Sequence, residues 1–382
     1  MIFYSYYYYV PVKCWFILII SILFCAVPTY AQFEDPYNFS FKTYTTDNGL
    51  IHNFTRKCLS DSKGFLWIIT QNGLNRFDGY TFRNYQHITE DSLSLPNNDI
   101  VDMAIDSKDR VWLAYSTGVC YYDPKTKGFY KIQDNTKDLR IINLCYDSAG
   151  EAVWMITPKG LLRLDAKNLQ ITVADLGRSI PSTPSYIMID SKRRLWITYF
   201  RFGYFVYDTK TNKSEYVDKV FWPMAVNEDS ESNIWVSSWE EGLYAVDKNK
   251  ILPHANYKLP KDSLSGYGYI FRGAIEAPKL TGHNILWVVA GAGGIVLFDK
   301  KLKKIVKWIR YDPEQKTGLA TNDNDYIYES PDGTVWICTQ FGLTKVNKGE
   351  QLFISRELLD LKINIYNLLI GLADDSYQKG IT

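Results

Sequence analysis

Histidine is scarce in this chain. There are four, His52, His87, His254 and His283, with no common spacing. That argues against a histidine metal cluster or phosphoacceptor, and no metal ion is expected. Cysteine is also sparse, with six residues and no CxxC pair. Cys58, Cys120, Cys145 and Cys338 are unpaired in spacing, so buried free thiols are expected rather than a disulfide framework. No sign of charge dominates, with 43 Lys+Arg against 42 Asp+Glu. This leaves no basic footprint for nucleic acid and no polybasic membrane patch. Helical periodicity is absent as well. Beyond residues 14–26, no apolar run approaches the length of a membrane span.

The N-terminal 31 residues differ from the rest. Lys13 is their only charge, the apolar stretch is thirteen residues long, and small residues end it at Ala31. This reads as a secretory signal peptide, residues 1–31, cut before Gln32. An uncleaved anchor is the alternative. The mature chain is therefore expected to be exported.

What the chain has is a repeat. Residues 61–78 read DSKGFLWIITQNGLNRFD, and related units follow at 106–123, 147–165, 190–208, 229–247, 284–299 and 329–347. The motif tryptophans are Trp67, Trp112, Trp154, Trp196, Trp235, Trp287 and Trp336, at intervals of 45, 42, 42, 39, 52 and 49 residues. A Gly follows each Trp by six or seven residues, and an Asp, or Asn347, follows that Gly by five. A period in this range signals a repeat architecture. The units are rich in Ile, Val, Trp, Tyr, Phe and Thr, punctuated by Gly, Asn and Asp, which is hairpin chemistry.

Four strands per unit are expected. The first, such as 100–105, runs into the Asp turn, the second carries the Trp, the third follows the Gly, and the fourth is aromatic, such as 128–132. Seven such units predict an all-β fold, a seven-bladed β-propeller with four antiparallel strands per blade, over residues 38–347. The coils of a parallel β-helix are shorter, and a sandwich lacks this period. The motif Trp fills the space between blades. The lone strand at 39–45 is expected to close the ring as the outer strand of the Trp336 blade, removing an open edge. Residues 348–382 resemble the first strand and acidic turn of an eighth unit, as in a truncated chain. A capping helix at 357–370 is the alternative.

The unit DxxGxLWIxTxxGLxRxD resembles the two-component regulator propeller repeat, and residues 41–86 look like the first repeat of such sensors. WD repeats are a poorer match, since no Trp-Asp pair closes the units. The resemblance implies a non-catalytic periplasmic sensing module of a hybrid two-component system controlling polysaccharide use. It also implies an oligosaccharide ligand, a second propeller and downstream sensor domains as partners, and homodimers. The kinase of the resembled family is absent from the chain, and no cofactor is expected. A free periplasmic scaffold for protein partners is one alternative, and a propeller lyase or hydrolase another. Such enzymes need converging carboxylates or histidines, and Glu240–Glu241 has no evident acid–base partner. The GAGG of 291–294 joins two strands and opens no phosphate-binding helix.

Ligand candidates come from one face, where the loops between second and third strands meet the inter-blade connections. They are Arg201, Phe202, Trp222, Trp239, Glu240, Tyr267, Tyr269, Arg272, Asn324 and Phe341. Gln71, Asn72, Asn97, Asn98, Asn322, Asp325 and Gln340 share those loops. Trp222 and Trp239 stand outside the repeat register. As exposed flat rings they would stack on a sugar; otherwise they pack beneath the loops.

Overall fold

In the computed structural model, residues 35–133, 140–178, 182–239, 241–258, 272–315 and 317–348 are described. The expected signal peptide, the tail beyond 348 with its alternative capping helix, and Glu240, Tyr267 and Tyr269 lie outside them.

The strands form seven four-stranded sheets. Six follow chain order, and their first strands begin at Thr55, Ile100, Asn143, Pro184, Pro223 and Gly273. The seventh contains Asn324–Glu329, Val335–Thr339 and Gly342–Lys348 and is completed by Phe39–Tyr44. That closing strand pairs antiparallel, from Phe39 opposite Lys348 to Tyr44 opposite Leu343. Each first strand packs against the first strands of both neighbouring sheets, including Thr55–Ser60 against Asn324–Glu329, so the ring is complete. The protein is a seven-bladed β-propeller, and the closing strand lies where the sequence placed it.

The seven motif tryptophans are at most 6% exposed and sit in apolar clusters, most of them spanning adjacent blades. Trp67, for example, packs 4.9 Å from the Tyr122 ring of blade two. The acidic residue that opens each unit does more than turn the chain. Asp61, Asp106, Asp190 and Asp229 stand six residues before a Trp, and each accepts its indole N–H at 2.9 Å. The same carboxylate caps the turn, as Asp61 does for Phe65 N–H at 3.0 Å. In blade six Thr281 takes this place, accepting from Trp287 at 3.0 Å. Blade three has one extra residue, Asp147 turns instead to Arg193 at 2.7 Å, and the Trp154 indole nitrogen is left buried without a partner.

The Ser after the Asp pins one blade to the next. Ser62 donates through its backbone and hydroxyl to Asp109, at 2.9 and 2.6 Å. Ser191 does the same to Glu228, both at 2.6 Å. The repeated Gly after the Trp strand is fixed by backbone geometry. At Gly203 φ is 82° and an added Cβ would lie 2.0 Å from the Val217 carbonyl. Cys58, Cys120 and Cys338 are buried, Cys145 is half-buried, and all four are free thiols.

Candidate functional site

The loops between second and third strands, and the blade connections, open on one rim; the Asp turns line the other. On the first rim, the boundary of blades four and five gathers aromatic side chains. Phe200, leaving the strand Arg194–Tyr199, lies 6.1 Å from the Trp222 ring in a stacked arrangement and 5.5 Å from Trp239. Trp222 precedes the first strand of blade five, Pro223–Glu228, and its carbonyl accepts from Trp239 N–H at 3.0 Å. Both tryptophans remain partly exposed. The Arg201 guanidinium lies 5.6 Å from the Phe200 ring, and Phe202 and Phe221 beside it are 37% and 63% exposed.

The backbone of this shelf is strained. Arg201 has φ 72° and Trp222 has φ 46°. Bulky side chains seldom occupy this left-handed region, which costs on the order of 1–3 kcal/mol at each such site. Strain of this kind is retained where surrounding structure holds it.

The structure thus brings Arg201, Phe202, Trp222 and Trp239 into one cluster. The other described candidates are elsewhere. Arg272 pairs with Asp325 and lies 3.6 Å from Asp323 at the boundary of blades six and seven. Gln340 donates to Asp323 at 2.6 Å. Asn324 is fully buried beside them, its amide donating to the Asn322 carbonyl at 3.0 Å while its Oδ1 has no partner. Phe341 is 59% exposed on the blade-seven loop. Asn98 accepts from His87 N–H at 2.6 Å and Asn322 from Tyr311 N–H at 2.7 Å, equivalent supports of two blade connections. Asn72 accepts from Asn98 at 3.3 Å, and Asn97 accepts from Asp99 N–H at 3.1 Å.

Sequence reasoning missed a polar chain across the inner strands. Lys57 donates to Asp102 at 2.7 Å, Asp102 accepts from Asn143 at 2.6 Å, and Asn143 accepts from Ile187 N–H at 3.0 Å. The chain links blades one to four. Burial pulls the Lys57 ammonium downward in pKa, but Asp102 and the neighbouring Tyr186 outweigh it and the net shift is upward. Burial pushes the Tyr186 and Tyr326 hydroxyls up. The available signal was the third residue of successive first strands, Lys57 and Asp102, which carry opposite charge.

On the opposite rim, a cleft of about 290 Å³ is lined by Asn227, Glu228, Ile275, Glu276, Pro278, Tyr328 and Glu329. Its carboxylates have structural partners: Glu228 holds Ser191, Glu276 accepts from Ser230 N–H at 2.8 Å, and Glu329 from Lys279 N–H at 3.2 Å. Burial raises the pKa of Glu329. The histidines are dispersed. His52 accepts from Phe54 N–H, His87 meets the Leu95 carbonyl, His283 meets Ser230, and His254 lies on the outer strand of blade five.

With this geometry in place, comparison shows what the chain is similar to. The chain resembles the extracellular domain of the hybrid two-component system BT3049 from B. thetaiotaomicron, with TM-score 0.68 and 20% identity, over 82% of this chain and 42% of that one. It also resembles virginiamycin B lyase from Staphylococcus aureus, with TM-score 0.64 and 15% identity, over 81% and 99%. Both likenesses are of fold. A stretch of 77 residues is 39% identical to Histidine kinase P4 of Formosa agariphila, covering 20% of this chain and 5% of that protein. No family model matches the chain.

The local match to a histidine kinase agrees with the two-component regulator propeller resemblance read from the repeat motif, and the structural neighbours share the fold. The chain spans less than half of the sensor domain it matches. No helix among the described residues is long and apolar enough to cross a membrane.

Proposed function

We propose that this propeller is a periplasmic ligand-sensing module of a hybrid two-component sensor. It is non-catalytic, it responds to oligosaccharides, and it serves the regulation of polysaccharide use. The observation that carries the reading is the shelf of Phe200, Trp222 and Trp239 on the loop rim. Partly exposed flat rings match the apolar face of a sugar, and nearby polar groups meet its hydroxyls. The sensor-domain neighbours support the class. Ligand bound on the shelf would bias the geometry between the propeller and the domains that continue the sensor, which is how binding becomes a signal. Export by the N-terminal segment and assembly as a homodimer belong to the same proposal.

Trp239→Ala tests it. Titration of the chain with oligosaccharides, followed by calorimetry and tryptophan fluorescence, should give saturable binding that weakens at least tenfold in the variant, about 1.4 kcal/mol. Failure of a broad oligosaccharide panel to bind overturns the reading. The exposed Phe202, Phe221 and Phe341 on the same rim favour a scaffold for protein partners as the second reading.

A further inference from the structure

We infer that the shelf takes an anionic saccharide, one carrying carboxylate or sulfate groups, held by Arg201 and Arg178. The inference rests on the shelf being the ligand site. Arg201 lies over Phe200 at one end. At the other, the exposed Arg178 guanidinium lies 4.6 Å from the Tyr216 ring, and the Tyr216 hydroxyl donates to the Phe202 carbonyl. Arg178, Tyr216, Phe202, Arg201 and Phe200 therefore make one strip leading onto Trp239.

Neither guanidinium has a carboxylate partner among the described residues. Three described carboxylates in the adjoining segments have contacts of their own. Asp175 accepts from Gly177 N–H at 2.7 Å, Asp218 pairs with Lys219 at 3.6 Å, and Glu241 accepts from Tyr244 at 2.9 Å. A guanidinium stacked on a ring is already restrained, and its forked donors match a carboxylate or sulfate in two parallel hydrogen bonds. A neutral sugar would use the rings but leave both forks facing water.

The test compares three oligosaccharides of equal length: neutral, uronic-acid and sulfated. At low salt, at least one anionic ligand should bind at least tenfold tighter than the neutral one. The advantage should shrink as sodium chloride is raised. Arg178→Gln with Arg201→Gln should abolish the advantage, bringing the anionic ligands to the affinity of the neutral one. Arg201→Lys keeps the charge without the fork and should lose part of it, a control independent of the double variant's folding. Preference between the uronate and the sulfate identifies which group the forks read.

If the neutral sugar binds as tightly as both anionic ones, and Trp239→Ala weakens all three, the charge inference falls while the sugar shelf stands. If none binds, both fall.

Discussion

At the residue scale, the opening Asp and the Trp form one device in four of the units. Six residues separate them, enough to turn the chain and bring the indole N–H back to the carboxylate that began the turn. The blade-three exception supplies its own control, because the Trp154 indole nitrogen is buried without a partner. Trp112→Phe removes ring volume and a hydrogen bond to a buried carboxylate; Trp154→Phe removes ring volume and relieves an unsatisfied donor. Trp112→Phe should therefore be the more destabilising by about 1–3 kcal/mol. Urea unfolding of the two variants beside the parent checks this, and equal losses would show that the Asp–Trp bond adds nothing.

At the element scale, blades are joined by polar contacts that lie outside any one unit's motif. Lys300, on the turn after the third strand of blade six, bridges Asp229 of blade five at 2.8 Å and Glu276 of its own blade. Burial raises the Asp229 carboxyl, but donation from Lys300 and Trp235 outweighs it and the pKa falls below the ordinary value. Burial likewise lowers the Lys300 ammonium, yet its two carboxylate partners outweigh that and the pKa is raised. The signs then follow from linkage. The depressed Asp229 contributes stability that is present above about pH 4 and lost as pH falls through its folded value. The raised Lys300 contributes stability that is present below about pH 10 and lost as pH rises through its folded value. Lys300→Met should cost about 3 kcal/mol near neutrality. The gap from the parent should narrow at both pH extremes, as read by thermal unfolding from pH 3 to 11. A gap independent of pH would assign the loss to packing alone.

At the scale of the whole molecule, the blade count and the closing strand were legible because both repeat or complete a pattern. Trp, Gly and Asp recur in register, and Phe39–Tyr44 is a β-rich segment with no unit of its own. The candidate site was legible only in part. Trp222 and Trp239 were marked by standing off register, and Arg201 by its loop. That Phe200 stacks on Trp222 depends on how blade four meets blade five, and no spacing encodes that. Arg272 and Asn324 shared the same face by topology, but their partners Asp323, Asp325 and Asn322 fix them at the boundary of blades six and seven. The chain from Lys57 through Asp102 to Asn143 was hidden because its members differ in chemistry from blade to blade.

Closure carries the last prediction. The seventh blade takes its outer strand from residues near the other end of the chain, so first and last blades are held together by backbone pairing as well as by packing. Tyr44 on that strand lies 5.2 Å from Phe77 of blade one and 6.1 Å from Trp336 of blade seven, placing one aromatic side chain across the seam. A chain beginning at Thr45 would lose that side chain and leave Gly342–Lys348 as an unpaired edge beside exposed apolar surface. Such an edge recruits another strand. The shortened protein should unfold at lower temperature and self-associate, measured by light scattering at increasing concentration. Adding the peptide of residues 37–45 in excess should reverse the association by refilling the edge. A shortened chain that stays monomeric with an unchanged unfolding midpoint would mean that packing between blades closes the ring without the strand.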